Sequence, residues 1–529
     1  MSKQRWILVA AVLGSGIVFL DSTVVNVAMP RIGRELPRLV LGVLEGQSYV
    51  YNAYLLSLSS LLILAGAMAD FYGRRRMFAI GTAGFGAASV LCGLSPDMEF
   101  LVGARILQGA FGALLVPGSL ALLTANFEGE EQGRAFGIWA SASAGTTILG
   151  PFIGGVLVDS VSWRAVFLIN VPLVLFALYA LRHVPESRDQ QSSADFDWLG
   201  ALLAALAVGG LAFGTIYGQQ RNWTEPLAFV FLAVGALTAV AFPFVMARRP
   251  HPLVPLSLFR SRNFTVTNIS TLVIYGSLYV TFLFNGLFLQ GTIGYSAAAA
   301  GLAGVPGTLL LVLFSARVGR FAGRYGPRWF MAVGPALMSL GVLWLARIPA
   351  TTQPWRLVLG QVSSYAPPNG YLVDLLPGLL VFGIGLTIMV APLTTALMTS
   401  VPAHNSGLAS AVNNAISRVG PQLAGALIFV AITGSFYSGL AARLPGTNGS
   451  SPAVRASVAP LNQPSATVSV GGASGSRLQQ ATLGASTDAY HLAMLVGAGL
   501  LLIGAVVNGL GIRNQRVVQP ATAPAAAAG

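Results

Sequence analysis

Charge is scarce in this chain. Asp, Glu, Lys and Arg together make up 9% of its 529 residues, where an ordinary soluble domain carries roughly 25%. That shortage excludes a soluble globular protein. Lysine occurs once, at Lys3, and the other basic residues are Arg. The formal net charge is +13, yet the Arg residues are scattered among short segments and build no basic domain that could lie along a phosphate backbone, so nucleic-acid binding is excluded. Cysteine occurs once, at Cys92, which rules out an intramolecular disulfide; a lone Cys in an apolar run acts as a small apolar residue. His183, His251, His404 and His491 lie far apart with no metal-ligand spacing, and no phosphate-binding loop is present. The sequence therefore implies no metal, no cofactor and no ATP-driven pumping, and it gives little support to an integral-membrane enzyme.

What the chain has is apolar length. Hydrophobic residues make up 54% of it, and about 20 of them in a row cross a hydrocarbon core roughly 30 Å thick. Fourteen such stretches can be marked: 6–28, 47–69, 77–95, 100–123, 135–157, 165–182, 198–217, 226–246, 266–290, 297–316, 329–346, 372–398, 406–434 and 489–511. Lys3 and Arg5 before the first stretch resemble a signal peptide, but the run continues to Val27 without a small-residue cleavage site and is read as a retained first span. The 62 glycines fit closely packed membrane helices. An even number of spans puts both termini on one side. Arg74, Arg75, Arg76, Arg248, Arg249, Arg260, Arg262, Arg317, Arg320, Arg324 and Arg328 make that side cytoplasmic by the positive-inside rule, against the outer Arg31, Arg34 and Arg38. Residues 435–488, rich in Ser, Gly, Ala and Pro, read as a long external loop, and the Pro- and Ala-rich residues 516–529 as a disordered tail.

A repeat divides the chain. Gly66, Asp70, Gly73 and Arg75 close the second stretch, and at a constant offset of 253 residues Gly319, Gly323, Gly326 and Arg328 close the tenth. Gly150-Pro151 and Gly420-Pro421 mark the fifth helix of each half. The expected organisation is a six-helix half over 1–190, an inserted helix pair (spans 7 and 8) over 191–250, and a second six-helix half over 251–515.

Five polar motifs interrupt the apolar spans. Gly66, Asp70, Gly73, Arg74 and Arg75 form a tight turn in which an acid sits beside an Arg cluster or a helix N-terminus, a contact able to hold one conformation. Gly145, Gly150, Pro151, Gly154 and Gly155 give span 5 a smooth, bent face; packing alone is the plainer reading. Arg105 and Gln108 interrupt span 4, and Arg105 either snorkels or has a partner. Asp21 and Asn26 interrupt span 1, with Asp21 about 10 Å from the outer end, a depth close to that of Arg105. A carboxylate there can take a proton from one side and release it to the other, or it can be a structural acid. Asn413 and Arg418 interrupt span 13, with Arg418 near mid-depth and able to face either a cavity or Asp374. In span 9, Tyr275, Tyr279, Phe282, Phe284 and Asn285 are candidates for a substrate surface.

These motifs, over nearly the whole chain, resemble the major facilitator superfamily and within it the fourteen-helix drug:proton antiporter family of multidrug exporters. The resemblance implies an all-α membrane protein with the major-facilitator fold, working as a monomer in a bacterial inner membrane and exporting drugs or other amphipathic or cationic small molecules against protons. It implies proton coupling at Asp21 and Arg105, gating at the Asp70 turn and an antiporter role for the span 5 glycines. It marks the segment Trp163–Pro172 as a structural signature. A dedicated exporter of an endogenous metabolite or antibiotic is the competing reading.

Overall fold

The computed structural model describes residues 2–514 apart from 38, 40–42, 188–195, 221–224, 359–360, 446, 450, 464–468 and 471. The expected tail, 516–529, lies outside the described residues. The described chain is helical, with a single two-stranded hairpin among its described residues.

The first stretch of chain forms α1 (Lys3–Glu35), α2 (Val43–Tyr72), α3 (Arg74–Gly93), α4 (Met98–Gly112), α5 (Leu115–Asn126), α6 (Gly129–Ser160), α7 (Ala165–Leu168) and α8 (Asn170–Leu181). Next come α9 (Trp198–Gln220) and α10 (Pro226–Arg248). The remainder forms α11 (Arg262–Leu287), α12 (Ala297–Ala303), α13 (Val305–Tyr325), α14 (Arg328–Leu345), α15 (Leu376–Thr399), α16 (Ser406–Arg443), α17 (Pro452–Ser457) and α18 (Gly475–Gly511). Local chemistry sets several starts. Asp97 caps α4 by accepting the Phe100 N–H at 2.8 Å, and Pro226 opens α10, where its missing N–H is harmless.

Among the described residues twelve helices are long and apolar enough to cross a membrane, where the sequence suggested fourteen. The two outside that count are Ala165–Leu181, which is shorter, and α16, which carries Asn413, Asn414, Ser417 and Arg418 in its first half.

The expected external loop is a correction. α16 continues to Arg443 and α18 begins at Gly475, so much of 435–488 is helix. Ala481, Ala485 and Ala489 are too weakly apolar to stand out by hydropathy, but they pack helix on helix and are buried. Between the two helices, α17 and a hairpin of β1 (Ser469–Val470) with β2 (Ala473–Ser474) form a small cap. Val458, Leu461, Val470 and Ala473 seat the cap on the Phe436, Leu440 and Leu478 side of the second core.

The offset-253 repeat reappears as geometry. Gly73 (φ 108°) and Gly326 (φ 85°) break the chain at equivalent turns in a conformation that favours glycine. The helix after each turn is capped by a polar side chain from far along the chain. Glu186 accepts the Arg75 and Arg76 N–H groups at 3.0 Å, and Asn514 accepts that of Arg328 at 3.1 Å.

Candidate functional site

α1, α3, α4 and α8 bring a polar cluster together inside the first core. Asp21, Ser89, Arg105, Gln108 and Asn170 are all fully buried. Arg105 Nη1 donates to Asp21 Oδ2 at 2.5 Å and to Gln108 Oε1 at 2.6 Å. Gln108 Nε2 donates to Asp21 Oδ1 at 2.9 Å and to Ser89 Oγ at 2.8 Å, while Asn170 Nδ2 bridges the same two acceptors at 3.1 and 3.2 Å. Arg105 Nε donates to the Val50 carbonyl at 3.2 Å, and its guanidinium lies 4.1 Å above the Tyr54 ring. Arg105 therefore does not snorkel. It is paired with the one acid that the sequence placed at similar depth.

The arrangement follows from electrostatics. An isolated buried ion is costly, and a buried pair is tolerated only where further hydrogen bonds satisfy the remaining lone pairs and protons. Asp21 receives three donors, from Arg105, Gln108 and Asn170. Arg105 Nη2 and Asn170 Oδ1 have no hydrogen-bond partner among the described residues. Sequence reasoning missed Ser89, Tyr54 and Asn170 as members. Asn170 sat in the segment taken as structural, and a single Ser or Tyr in an apolar helix carries no signal until the fold places it. Asn26 is exposed at the protein surface within α1, where its Nδ2 donates to the Ser22 carbonyl at 3.4 Å.

At the far end of α2, Asp70 and Arg74 form a second buried pair, with Arg74 Nε and Nη2 both 3.0 Å from Asp70 Oδ1. Asp70 also accepts the Gly407 N–H at 3.2 Å and the Leu408 N–H at 2.8 Å, so its carboxylate caps the N-terminus of α16. Arg74 donates to the Ala403 carbonyl in the turn before that helix. Gly66 packs directly against Ala411 and the Gly407 backbone. The repeat unit makes the mirrored contact without an acid: Gly323 lies against Gly129 and Glu130 at the start of α6.

Helices meet closely at this end. A Cβ at Gly133 would strike the Gly319 backbone, and one at Gly137 the backbone of Ser315 and Ala316. Gly150 and Gly154 seat α6 on Thr23 and Val24 of α1, while Gly307 seats α13 on α15. Gly145 and Gly155 touch no neighbour, so two of the four span 5 glycines carry the packing. Pro151 lies in α6, and its side chain is outside the described set.

Between the helix sets lies a cavity of about 270 Å³, lined by Leu55 and Ser59 of α2, Tyr275, Leu278 and Tyr279 of α11, and Ser417, Arg418 and Pro421 of α16. Asn413, one turn earlier on α16, is buried and donates to Asn268 Oδ1 at 3.1 Å and Thr271 Oγ1 at 2.8 Å. Asp374 is not the partner of Arg418: it accepts the Thr352 hydroxyl at 2.8 Å. Of the other α11 candidates, Phe284 is buried, Phe282 packs edge-on to Phe382, and Asn285 accepts the Tyr490 hydroxyl.

Comparison with known proteins agrees with this architecture. The sequence model of the Major Facilitator Superfamily matches residues 11–425. The multidrug resistance protein Stp of Mycobacterium tuberculosis is 34% identical over 428 residues, covering 80% of this chain and 75% of its own. The puromycin resistance protein pur8 of Streptomyces alboniger is 32% identical, covering 96% and 90%. The solved structure of the proton:xylose symporter XylE, 14% identical, superposes with a TM-score of 0.58 over 96% of this chain and 95% of that one, which shows a shared fold.

Proposed function

The chain belongs to the major facilitator superfamily, a family of membrane transporters and not of enzymes, and from that premise we propose that it exports drugs or other amphipathic small molecules in exchange for protons. The relatives named for multidrug and puromycin resistance support the export of drugs. The observation that carries the proton coupling is the fully buried Asp21–Arg105 pair.

The mechanism runs along α2. This helix holds Tyr54 over Arg105, lines the cavity with Leu55 and Ser59, and ends at Gly66 and Asp70 in the lock on α16. With Asp21 ionised, its three donors hold α1, α4 and α8 together. Protonation removes the charge that Arg105 balances, so the guanidinium shifts its bonds and its stacking on Tyr54. That movement reaches the cavity wall and the Asp70 lock through one rigid element. Proton and substrate then favour opposite-facing states, which is the requirement for antiport.

The proposed orientation places both termini in the cytoplasm, on the side richer in Arg. The closed end with Asp70 and Arg74 is then cytoplasmic. We count fourteen crossings by adding α7–α8 and α16 to the twelve, since α8 packs on α1 and α3, and α16 on α2, α11 and α18. Two six-helix halves, 1–190 and 251–515, flank an inserted pair over 191–250 that docks on α2 and α16 through α9. The unit is a monomer.

Everted membrane vesicles test the coupling. With an inside-acid gradient, adding a transported drug should release protons in the wild type and fail to do so in Asp21→Asn. Normal release by that variant would remove Asp21 as the proton site, and a gradient that no drug collapses would end the antiport reading.

A further inference from the structure

Among the described residues, Arg418 is the one cation in the lining of the 270 Å³ cavity, and that lining contains no acid. It sits about 18 Å along α16 from its N-terminus, too deep to snorkel to either surface. Among the described residues, the titratable side chains that bear on it are Tyr54, Tyr51 and Tyr275, and none is a carboxylate. Phenols are neutral at physiological pH, so among the described residues no carboxylate pairs with the guanidinium. The two Arg residues that are buried among the described residues, Arg74 and Arg105, each have a carboxylate at hydrogen-bond distance. Arg418 differs from them in facing an open space walled by aromatic and small hydroxyl side chains.

Resting on the export reading, we propose that this cavity selects amphipathic aromatic substrates carrying an acidic group, such as a carboxylate, sulfonate or ionised phenol, and that Arg418 binds that group. The cavity has the two halves such a ligand requires. Tyr275, Tyr279, Leu55 and Leu278 offer apolar and aromatic surface, and Arg418, Ser59 and Ser417 offer donors. A guanidinium presents a planar fork of N–H groups that matches a carboxylate or sulfonate in two-point contact. A cationic ligand in the same place meets a like charge at low dielectric with no acid to offset it. The selection is therefore repulsive as well as attractive.

The position also links recognition to coupling. Tyr54 lies within electrostatic range of Arg418 and stacks on Arg105. An anion bound at Arg418 would be felt across one ring by the Asp21–Arg105 pair. A proton on Asp21 and an anion at Arg418 then both bear on the same side chain, Tyr54.

The test uses the purified full chain and two dyes on one xanthene ring: fluorescein, which is anionic at neutral pH, and a cationic rhodamine ester. Binding is read by fluorescence anisotropy in detergent, and transport by gradient-driven movement in proteoliposomes. Wild-type protein should prefer fluorescein. Arg418→Gln should weaken fluorescein binding by about tenfold to a hundredfold, the range for a lost charge-assisted bond. Arg418→Lys should keep a larger share of that affinity, and Arg418→Glu should turn the preference toward the rhodamine. Gel filtration and thermal unfolding confirm that each variant is folded, and the Lys variant carries the comparison if another is not. Wild-type protein that prefers the rhodamine or binds neither dye, or fluorescein affinity unchanged in Arg418→Gln, overturns the proposal. If fluorescein binds through Arg418 but no gradient moves it, the cavity assignment stands and the exporter reading fails.

Discussion

Asp21 and Arg105 lie 84 residues apart and were brought together in the sequence only by depth. That part of the site was legible because charged residues in apolar spans are costly and few, so an acid and a base at similar depth have little choice of partner. Ser89, Tyr54 and Asn170 were not legible, because a polar side chain in a membrane helix gains meaning only from the face it points to, and helix rotation is set by packing. The pair yields a stability prediction. Asp21→Ala leaves a buried guanidinium unpaired and should destabilise the protein by about 3–5 kcal/mol. Asp21→Ala with Arg105→Leu should recover much of that loss, read by thermal unfolding in detergent as a double-mutant cycle. A neutral Asp21→Ala variant would show that the ion pair does not hold these helices. Arg418 taught the reverse lesson. Its depth was read from the sequence, but Asp374, the acid considered for it, bonds to Thr352 instead.

Helices rather than loops carry the conformational argument. Asp70 joins the end of α2 to the start of α16 with two backbone N–H bonds and an Arg, whereas the repeat places Gly323 against α6 with contact alone. The Arg320–Glu130 pair nearby, at 3.7 Å and exposed, adds at most about 1 kcal/mol. The polar link is thus one-sided, since Gly323 stands in the second motif where Asp70 stands in the first. Asp70→Asn should loosen it: spin labels on α3 and α15 near this end should give a distance distribution shifted to longer values, and an unchanged distribution would remove Asp70 from the gate. Gly133→Leu should act in the same sense from the same end. A side chain there meets the Gly319 backbone, so the closed state should be lost and transport should fall by at least about tenfold, while a folded monomer persists on gel filtration.

Over the whole molecule, the repeat was the strongest signal in the sequence, because turns that need glycine are fixed by backbone sterics and leave a readable spacing. The cap between α16 and α18 left none. Its residues are small and weakly polar, and they fold by packing onto α18 and the second core rather than by any pattern of their own. The helix count suffers from the same limit: hydropathy detects what faces lipid better than what is buried among other helices.

The central claim is that the charge on Asp21 couples proton flow to drug movement, and proteoliposomes separate coupling from transport. With wild-type protein an imposed pH gradient should drive drug accumulation, and drug should also exchange for drug at equal pH. Asp21→Asn should lose the gradient-driven accumulation and keep the exchange. Accumulation by Asp21→Asn equal to that of the wild type would contradict the account.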